Sequence, residues 1–113
     1  MPTTEEETEN EECVKVIGNE ILFYGSVDRE NALEFVEKFK KLEIDLLKKK
    51  AELVGYEPQI RVHVMSEGGD IFSGLNIMNV LERSRVRVVT IAQGSCCSAA
   101  TFILLGGSER RMG

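Results

Sequence analysis

The sequence predicts a single α/β domain built on a mainly parallel sheet. Apolar segments with the two-residue periodicity of strands alternate with segments of helical periodicity, an order typical of parallel strands joined by right-handed crossovers. The length of 113 residues allows one domain at most. No apolar run reaches the roughly 18 residues that a membrane span needs, so none is expected.

The first half of the chain predicts two short strands and a long helix. Cys13–Ile17 alternates between polar and apolar residues, and Ile21–Tyr24 is a second strand-like run. Asp28 is an N-cap candidate for a helix from Arg29 to about Val54. The apolar residues of this helix recur at spacings of three and four: Ala32, Phe35, Val36, Phe39, Leu42, Leu46 and Leu47.

The second half continues the alternation and contains two glycine-rich stretches. The predicted elements are the strand Ile60–Met65, a helix over 71–83, the strand Val86–Ala92 and a helix that ends at Leu105. The expected apolar stripe of the helix over 71–83 is Ile71, Phe72, Leu75, Met78 and Leu81. No element is predicted for residues 106–113.

The acidic character of the chain comes from its amino terminus. Residues 1–12 contain six glutamates and no basic residue, whereas residues 13–113 carry 13 acidic and 14 basic side chains. We expect residues 1–12 to form a flexible acidic tail and residues 13–113 to form the domain. The basic residues lie dispersed among acidic ones with few aromatics, which argues against nucleic-acid binding.

The number and positions of the cysteine and histidine residues argue against disulfide bonds and metal sites. Cys13, Cys96 and Cys97 are odd in number and two are adjacent, so we expect free thiols in a reducing compartment. The amino terminus lacks the basic and apolar regions of a secretory signal, and a cytoplasmic location is expected. His63 is the single histidine, and no metal or other cofactor is expected.

Two loops are expected to face each other, because both follow parallel strands at the carboxyl edge of the sheet. They are Ser66–Asp70 and Gly94–Thr101. Ser98, before the last helix, is a candidate nucleophile, and the Ala99 N–H and the glycines of the first loop offer donors to an oxyanion. A tightly packed turn capped by a serine is the structural alternative. A phosphate site is disfavoured, because the first loop is acidic and has no Walker pattern.

The general base is missing from this pattern. His63 lies inside a strand and alternates with Val62 and Val64, so its side chain should point away from whatever those valines pack against. We therefore expect a partly exposed strand histidine without a catalytic role. Lysines of the long helix are the other candidates, in a Ser-Lys arrangement.

Several segments resemble the ClpP family, the proteolytic subunits of the ATP-dependent Clp protease. Met65–Met78 resembles the strand, Ser-Pro-Gly-Gly turn and helix of that family, and Gly94–Gly107 resembles its nucleophile segment. Ile21–Asp28 is similar to its first strand, and Gly107–Arg111 to the Gly-x-x-x-Arg that follows the nucleophile helix. The resemblance runs from about residue 20 to the end and corresponds to the amino-terminal portion of the family.

The resemblance implies a ClpP/crotonase-like fold of repeated β-β-α units whose carboxyl-terminal part is absent. It also implies an ATP-dependent serine endopeptidase that cleaves unfolded polypeptides, with Ser98 as nucleophile and the N–H groups of Gly69 and Ala99 as oxyanion hole. Gly68, Asp70 and Ile71 would supply backbone for a substrate strand. The implied partners are further subunits in homo-oligomeric or hetero-oligomeric rings and an AAA+ unfoldase.

The departures from the family pattern leave the function open. Glu67 replaces the proline of the turn, and Cys96 and Cys97 replace two alanines, but neither change removes a reacting group. The family's catalytic His and Asp lie beyond the nucleophile helix, after the last residue of this sequence, so we expect no hydrolysis by this chain alone.

Two alternatives to the peptidase follow. One is a non-catalytic Clp-like subunit that modulates a complete partner. The other is a Ser-Lys signal peptide peptidase or a CoA-thioester enzyme of the same broad fold. The Phe102–Gly106 helix favours the ClpP family over the signal peptide peptidase, whose nucleophile is followed by glycines and tyrosines.

Overall fold

The computed structural model of the protein describes residues 13–112, and the expected acidic tail, residues 1–12, lies outside them. In this part of the chain, strands and helices alternate after an initial pair of strands. The strands are β1 (Val14–Ile17), β2 (Glu20–Tyr24), β3 (Gln59–Ser66), β4 (Arg87–Cys96) and β5 (Glu109–Met112); the helices are α1 (Arg29–Glu52), α2 (Ile71–Glu82) and α3 (Ala99–Leu105).

The strands form one sheet in the order β1-β2-β3-β4-β5. β1 and β2 are an antiparallel hairpin, whereas β2, β3, β4 and β5 pair in parallel, which confirms the mainly parallel α/β architecture. β5 was not predicted, because its sequence Glu-Arg-Arg-Met has no apolar alternation. It takes its place through backbone pairing with β4, where Val89 faces Glu109.

Helix α1 packs as its sequence predicts. The Asp28 carboxylate accepts a hydrogen bond from the Asn31 N–H at 2.8 Å, and the helix ends at Glu52, two residues before the expected end. Phe35 lies edge-on to Phe23 of β2, with a 6.0 Å centroid separation. The predicted stripe is buried or packed against the core throughout: Ala32, Phe35, Phe39 and Leu46 are buried, and Val36, Leu42 and Leu47 are partly buried.

The expected apolar stripe of α2 is wrong at its start, whereas Leu81 is buried as predicted and Leu75 and Met78 are partly buried. Ile71 and Phe72 are 50% and 80% exposed. The buried residues of this helix are instead Ser73, Gly74, Ile77 and Leu81. Small residues let α2 approach α3 closely: a Cβ on Gly74 would lie 2.6 Å from the Ala99 carbonyl oxygen. The close contact with α3, and not the size of the side chains, therefore determines which face of α2 is buried.

We expect Gly74→Ala to lower the free energy of unfolding by about 1–2 kcal/mol. Overpacking against the Ala99 carbonyl costs about 1–3 kcal/mol, and the better helix propensity of alanine offsets up to about 1 kcal/mol of it. Urea unfolding measures the change. Asn76→Ala, on the exposed side of α2, is the control and should be neutral or stabilising. Equal effects of the two variants would contradict the close packing of the helices.

The face of the sheet opposite the helices carries a polar network. In β3, Ile60, Val62 and Val64 are fully buried on the helix side, so His63 points to the other face, as predicted. His63 Nε2 lies 2.8 Å from a carboxylate oxygen of Glu20, and Nδ1 lies 2.9 Å from the Gln93 side-chain amide. Within residues 13–112, no helix combines the length and apolar character needed to cross a membrane.

Candidate active site

The loop after β3 is held in an extended conformation by a short bridge to the segment after β2. Val27 donates its N–H to the Gly68 carbonyl at 2.9 Å, and its carbonyl accepts the Asp70 N–H at 2.7 Å. The buried Ser66 hydroxyl accepts the Gly68 N–H at 3.0 Å. Val27 was not predicted as part of the site, and only the turn-like Gly-Ser before it in the sequence marks its position.

The second loop begins later than the sequence predicts, because β4 extends to Cys96 instead of ending at Ala92. Ala92 pairs with Val64 and Cys96 with Ser66, so β4 carries two residues more than β3 over this interval. Such a bulge bends a strand and re-aims the residues that follow it. The chain then reaches Ser98, the last residue before α3.

Ser98 has a strained backbone. Its φ of 54° and ψ of −121° fall in a region that residues with a Cβ rarely adopt, and it is the one non-glycine residue with positive φ in residues 13–112. The side chain is exposed and does not cap α3. A sharp, strained strand-to-helix turn that presents a serine hydroxyl is the geometry of a nucleophile elbow.

The structure brings the two loops into contact, as the positions of both at the carboxyl edge of the sheet predict. A Cβ on Gly68 would lie 2.8 Å from the Ser98 Cβ and 3.4 Å from the Ala99 nitrogen. The Cys97 N–H also donates to the Ser66 carbonyl at 3.2 Å. The glycine backbone therefore lies directly beside the serine.

Two backbone donors near Ser98 have no acceptor among residues 13–112. The Gly69 N–H lies between residues whose polar groups face Val27, and successive peptide groups of an extended chain point to opposite sides. Neither this N–H nor that of Ala99 donates to another residue of 13–112. Unused N–H groups beside an exposed serine hydroxyl are the arrangement that stabilises an oxyanion in acyl transfer.

The described residues supply Ser98 with no base. No group in residues 13–112 hydrogen-bonds to the Ser98 hydroxyl, and both nitrogens of His63 are engaged by Glu20 and Gln93. Lys38 of α1 donates to the carbonyl of Val14 at 2.8 Å. Val14 belongs to β1, an edge strand of the sheet, so the Lys38 amine is directed to β1 and not to Ser98. Over the same residues, no group of three or more His, Cys, Asp or Glu side chains could hold a metal ion.

The neighbouring cysteines are unpaired, and one of them is tied into the sheet. The Cys96 Sγ lies 3.1 Å from the Val64 carbonyl oxygen, to which it donates. Burial raises the pKa of the Cys96 thiol, so it stays protonated at neutral pH. This thiol is therefore a structural group, not a competing nucleophile.

The predicted substrate-binding residues, Gly68, Asp70 and Ile71, differ in which of their backbone groups are available to a substrate. The Gly68 carbonyl and the Asp70 N–H are taken by Val27, whereas Ile71 is half-exposed at the start of α2. The Asp70 carboxylate caps α2 by accepting the Ser73 N–H at 3.2 Å and the Ser73 hydroxyl at 2.7 Å. The backbone edge that faces away from Val27 therefore belongs to Gly69 and Ile71.

The Asp70 cap should make stability depend on pH. The Ser73 hydroxyl is the main cause that lowers the pKa of Asp70. A carboxylate with a lowered pKa in the folded state stabilises the fold above its unfolded pKa and loses that contribution as the pH falls through the folded value. We expect Asp70→Asn, which keeps an acceptor but does not titrate, to lose less stability than the parent between about pH 5 and about pH 3.

Urea unfolding at the two pH values measures this difference. The effect is partial, because Arg111 and Arg87 likewise lower the pKa of Glu109, which titrates in the same window. Identical pH dependence in the parent and Asp70→Asn would show that the pKa of Asp70 is the same in the folded and unfolded states, so that the charge of the cap adds no stability.

Comparison with known proteins shows the family of this chain. A family model for the Clp protease matches residues 6–113. Among solved structures, ClpP1 from Listeria monocytogenes and a mutant of the same protein each match with a TM-score of 0.68 and 21% identity. Each match covers 80% of this chain and 47% of the ClpP1 chain, so this chain spans about half the length of those structures.

The fold likeness agrees with the fold class that the sequence predicts, and the family model covers nearly the whole sequence. Because more than half of the chain matches that model, the chain belongs to the Clp protease family.

Proposed function

We propose that this chain carries the nucleophile and oxyanion hole of a serine endopeptidase that cleaves unfolded polypeptides. Ser98 attacks the scissile carbonyl carbon, its proton passes to a base, and the carbonyl oxygen becomes an oxyanion held by the N–H groups of Gly69 and Ala99. Collapse of this intermediate expels the amine and leaves an acyl-enzyme for water to hydrolyse. No cofactor takes part in these steps.

One observation carries the proposal: a strained serine turn lies against a glycine loop in which the Gly69 N–H donates to no other residue of 13–112. A serine that served only as a helix cap would accept an N–H from α3, which Ser98 does not. A merely structural turn would also have little reason to hold a non-glycine residue at φ 54°. Both features are explained if the turn exists to present the hydroxyl.

The same proposal extends to the assembly. The chain spans about half the length of the ClpP1 structures it matches, so its base and the acidic partner of that base are proposed to come from chain beyond residue 113 or from another subunit. Membership of the family supports ring assembly with further Clp-type subunits and delivery of substrate by an AAA+ unfoldase in the cytoplasm.

A fluorophosphonate probe tests the reactivity of Ser98, with mass spectrometry to locate the label. We expect slow labelling of the chain alone, because an unactivated serine is a weak nucleophile, and fast labelling at Ser98 after co-expression with the carboxyl-terminal half of a Clp protease relative. Ser98→Ala is the matched control. Labelling that never appears at Ser98 in a verified co-assembly would refute the proposal; fast labelling of the chain alone would reveal an internal base.

A non-catalytic subunit is the second candidate, favoured by the engagement of the single histidine at both ring nitrogens by Glu20 and Gln93. Such a subunit would enter rings of a complete Clp-type protein and change their activity without forming an acyl-enzyme. Native mass spectrometry of mixtures distinguishes the candidates: mixed rings without a label on Ser98 support the second, and failure to co-assemble removes it.

A further inference from the structure

A cavity lies beside the candidate active site, at the carboxyl ends of β2 and β3. It is open to solvent, has a volume of about 560 Å³ and is lined by Tyr24, Gly25, Ser26, Met65, Ser66 and Glu67. Glu67 directly precedes Gly68, the residue that packs against Ser98. The cavity is therefore adjacent to the loop on which the proposed chemistry depends, yet none of its side chains has a role in that chemistry.

The walls of the cavity are apolar at one side. Tyr24 and Met65 are neighbours in the β2–β3 register, and they are 38% and 43% exposed. Part of a tyrosine ring and a thioether is thus open to solvent on the sheet face away from the helices. Such a surface favours the aliphatic stem of a long side chain.

One of the residues that line the cavity carries a negative charge that no neighbour balances among residues 13–112. Glu67 is exposed and forms no ion pair with another residue of 13–112, and no lysine or arginine lines the cavity. An uncompensated carboxylate at the rim favours a cation and repels an acidic group. The tyrosine ring adds a further attraction for a cation above its face.

We propose that this cavity is a subsite for a lysine or arginine side chain of a bound polypeptide, with Glu67 as the residue that determines the specificity. The inference rests on the proposed function, because it takes the polypeptide to lie along the Gly69–Ile71 edge. The methylene stem packs on Tyr24 and Met65, and the ammonium or guanidinium group reaches the Glu67 carboxylate. The cavity volume lies within the range of pockets that hold small-molecule ligands, so a single long side chain fits inside it.

The test measures binding and does not require Ser98 to react. Nα-acetyl-lysine methylamide is titrated into the isotope-labelled chain while backbone amide shifts are recorded by NMR. Nα-acetyl-norleucine methylamide, which has the same stem without the charge, is the ligand control. We expect saturable shifts at Gly25, Ser26 and Glu67, and about 1.5- to five-fold tighter binding of the lysine derivative, the range for an exposed ion pair.

Substitution of Glu67 then measures how much its carboxylate contributes to the binding of the lysine derivative. Glu67→Gln should bring the affinity for the lysine derivative down to that for norleucine, whereas Glu57→Gln, the same change at the opposite end of β3, should leave it unaltered. Equal affinity of the two ligands for the parent chain, a preference that survives Glu67→Gln, or no saturable shift at the cavity up to the solubility limit would each overturn the subsite.

Failure here and failure of the proposed function are separate results. A chain that binds lysine at the cavity but never acylates at Ser98 keeps the subsite and loses the peptidase mechanism. A chain that acylates at Ser98 in co-assembly but shows no lysine preference keeps the mechanism and loses the subsite.

Discussion

Gly69→Ala is expected to lower the free energy of unfolding by about 3–5 kcal/mol. A Cβ at this position would overlap the carbonyl oxygen of Val27 and lie 3.0 Å from its carbonyl carbon. The residue also holds φ at +146°, where side chains are strained. Because Val27 is fixed by hydrogen bonds to Gly68 and Asp70, relief of the overlap would break the bridge.

Gly55→Ala is the matched control. Gly55 also has a positive φ, of 85°, but no atom of residues 13–112 lies within 4 Å of the position that its Cβ would take, so its substitution carries only the conformational cost of about 1–2 kcal/mol. Urea unfolding followed by circular dichroism measures both variants. Equal losses would show that the loop is not pinned against Val27. In co-assembly, Gly69→Ala should also lower fluorophosphonate labelling, because the displaced loop carries the proposed oxyanion donor.

The sequence predicts the meeting of the two loops because topology alone determines it. Parallel strands that are neighbours in a sheet deliver the residues after their carboxyl ends to the same edge. Ser66–Asp70 and Gly94–Thr101 follow β3 and β4, which are such neighbours. The outward direction of His63 follows in the same way from strand alternation with Val62 and Val64.

The fine geometry of the site depends on pairing and packing that periodicity does not encode. The length of β4 and its two-residue bulge depend on the pairing of Cys96 with Ser66 across the sheet. The bridge between Val27 and Gly69 joins residues 42 positions apart and has no side-chain signature, because backbone groups alone make it. The orientation of the backbone donors therefore depends on the three-dimensional fold and not on the local sequence.

The buried face of α2 failed to follow hydropathy for a physical reason. The stripe that includes Ile71 and Phe72 is the more apolar one, but the helix turns Gly74 toward α3, where a larger residue would strike the Ala99 carbonyl. The result leaves Phe72 exposed next to the candidate substrate-binding loop. The helix cannot both bring its backbone close to α3 and bury Ile71 and Phe72, and in this fold the close approach of the two backbones determines the buried face.

Ser98→Gly is expected to raise the free energy of unfolding by about 1 kcal/mol while abolishing acylation. Strain at the present φ and ψ costs about 1–3 kcal/mol, and glycine relieves it while adding about 0.5–1 kcal/mol of unfolded-state entropy. Little is lost in exchange, because the Ser98 side chain is exposed and caps nothing.

Ser98→Ala separates strain from chemistry. Alanine keeps the Cβ and therefore the strain, so its stability should stay close to that of the parent, although it too loses the fluorophosphonate label. Thermal unfolding should place Ser98→Gly about 5 °C above both. A glycine variant no more stable than the alanine variant would show that the turn is relaxed. A gain in stability that appears only in Ser98→Gly would mean that the backbone strain at Ser98 destabilises the folded protein. A serine that served only as a helix cap would give no reason to keep this strain. The presentation of a hydroxyl group to the N–H groups of Gly69 and Ala99 is a reason to maintain the strain. The same backbone angles that strain Ser98 hold its Cβ against Gly68.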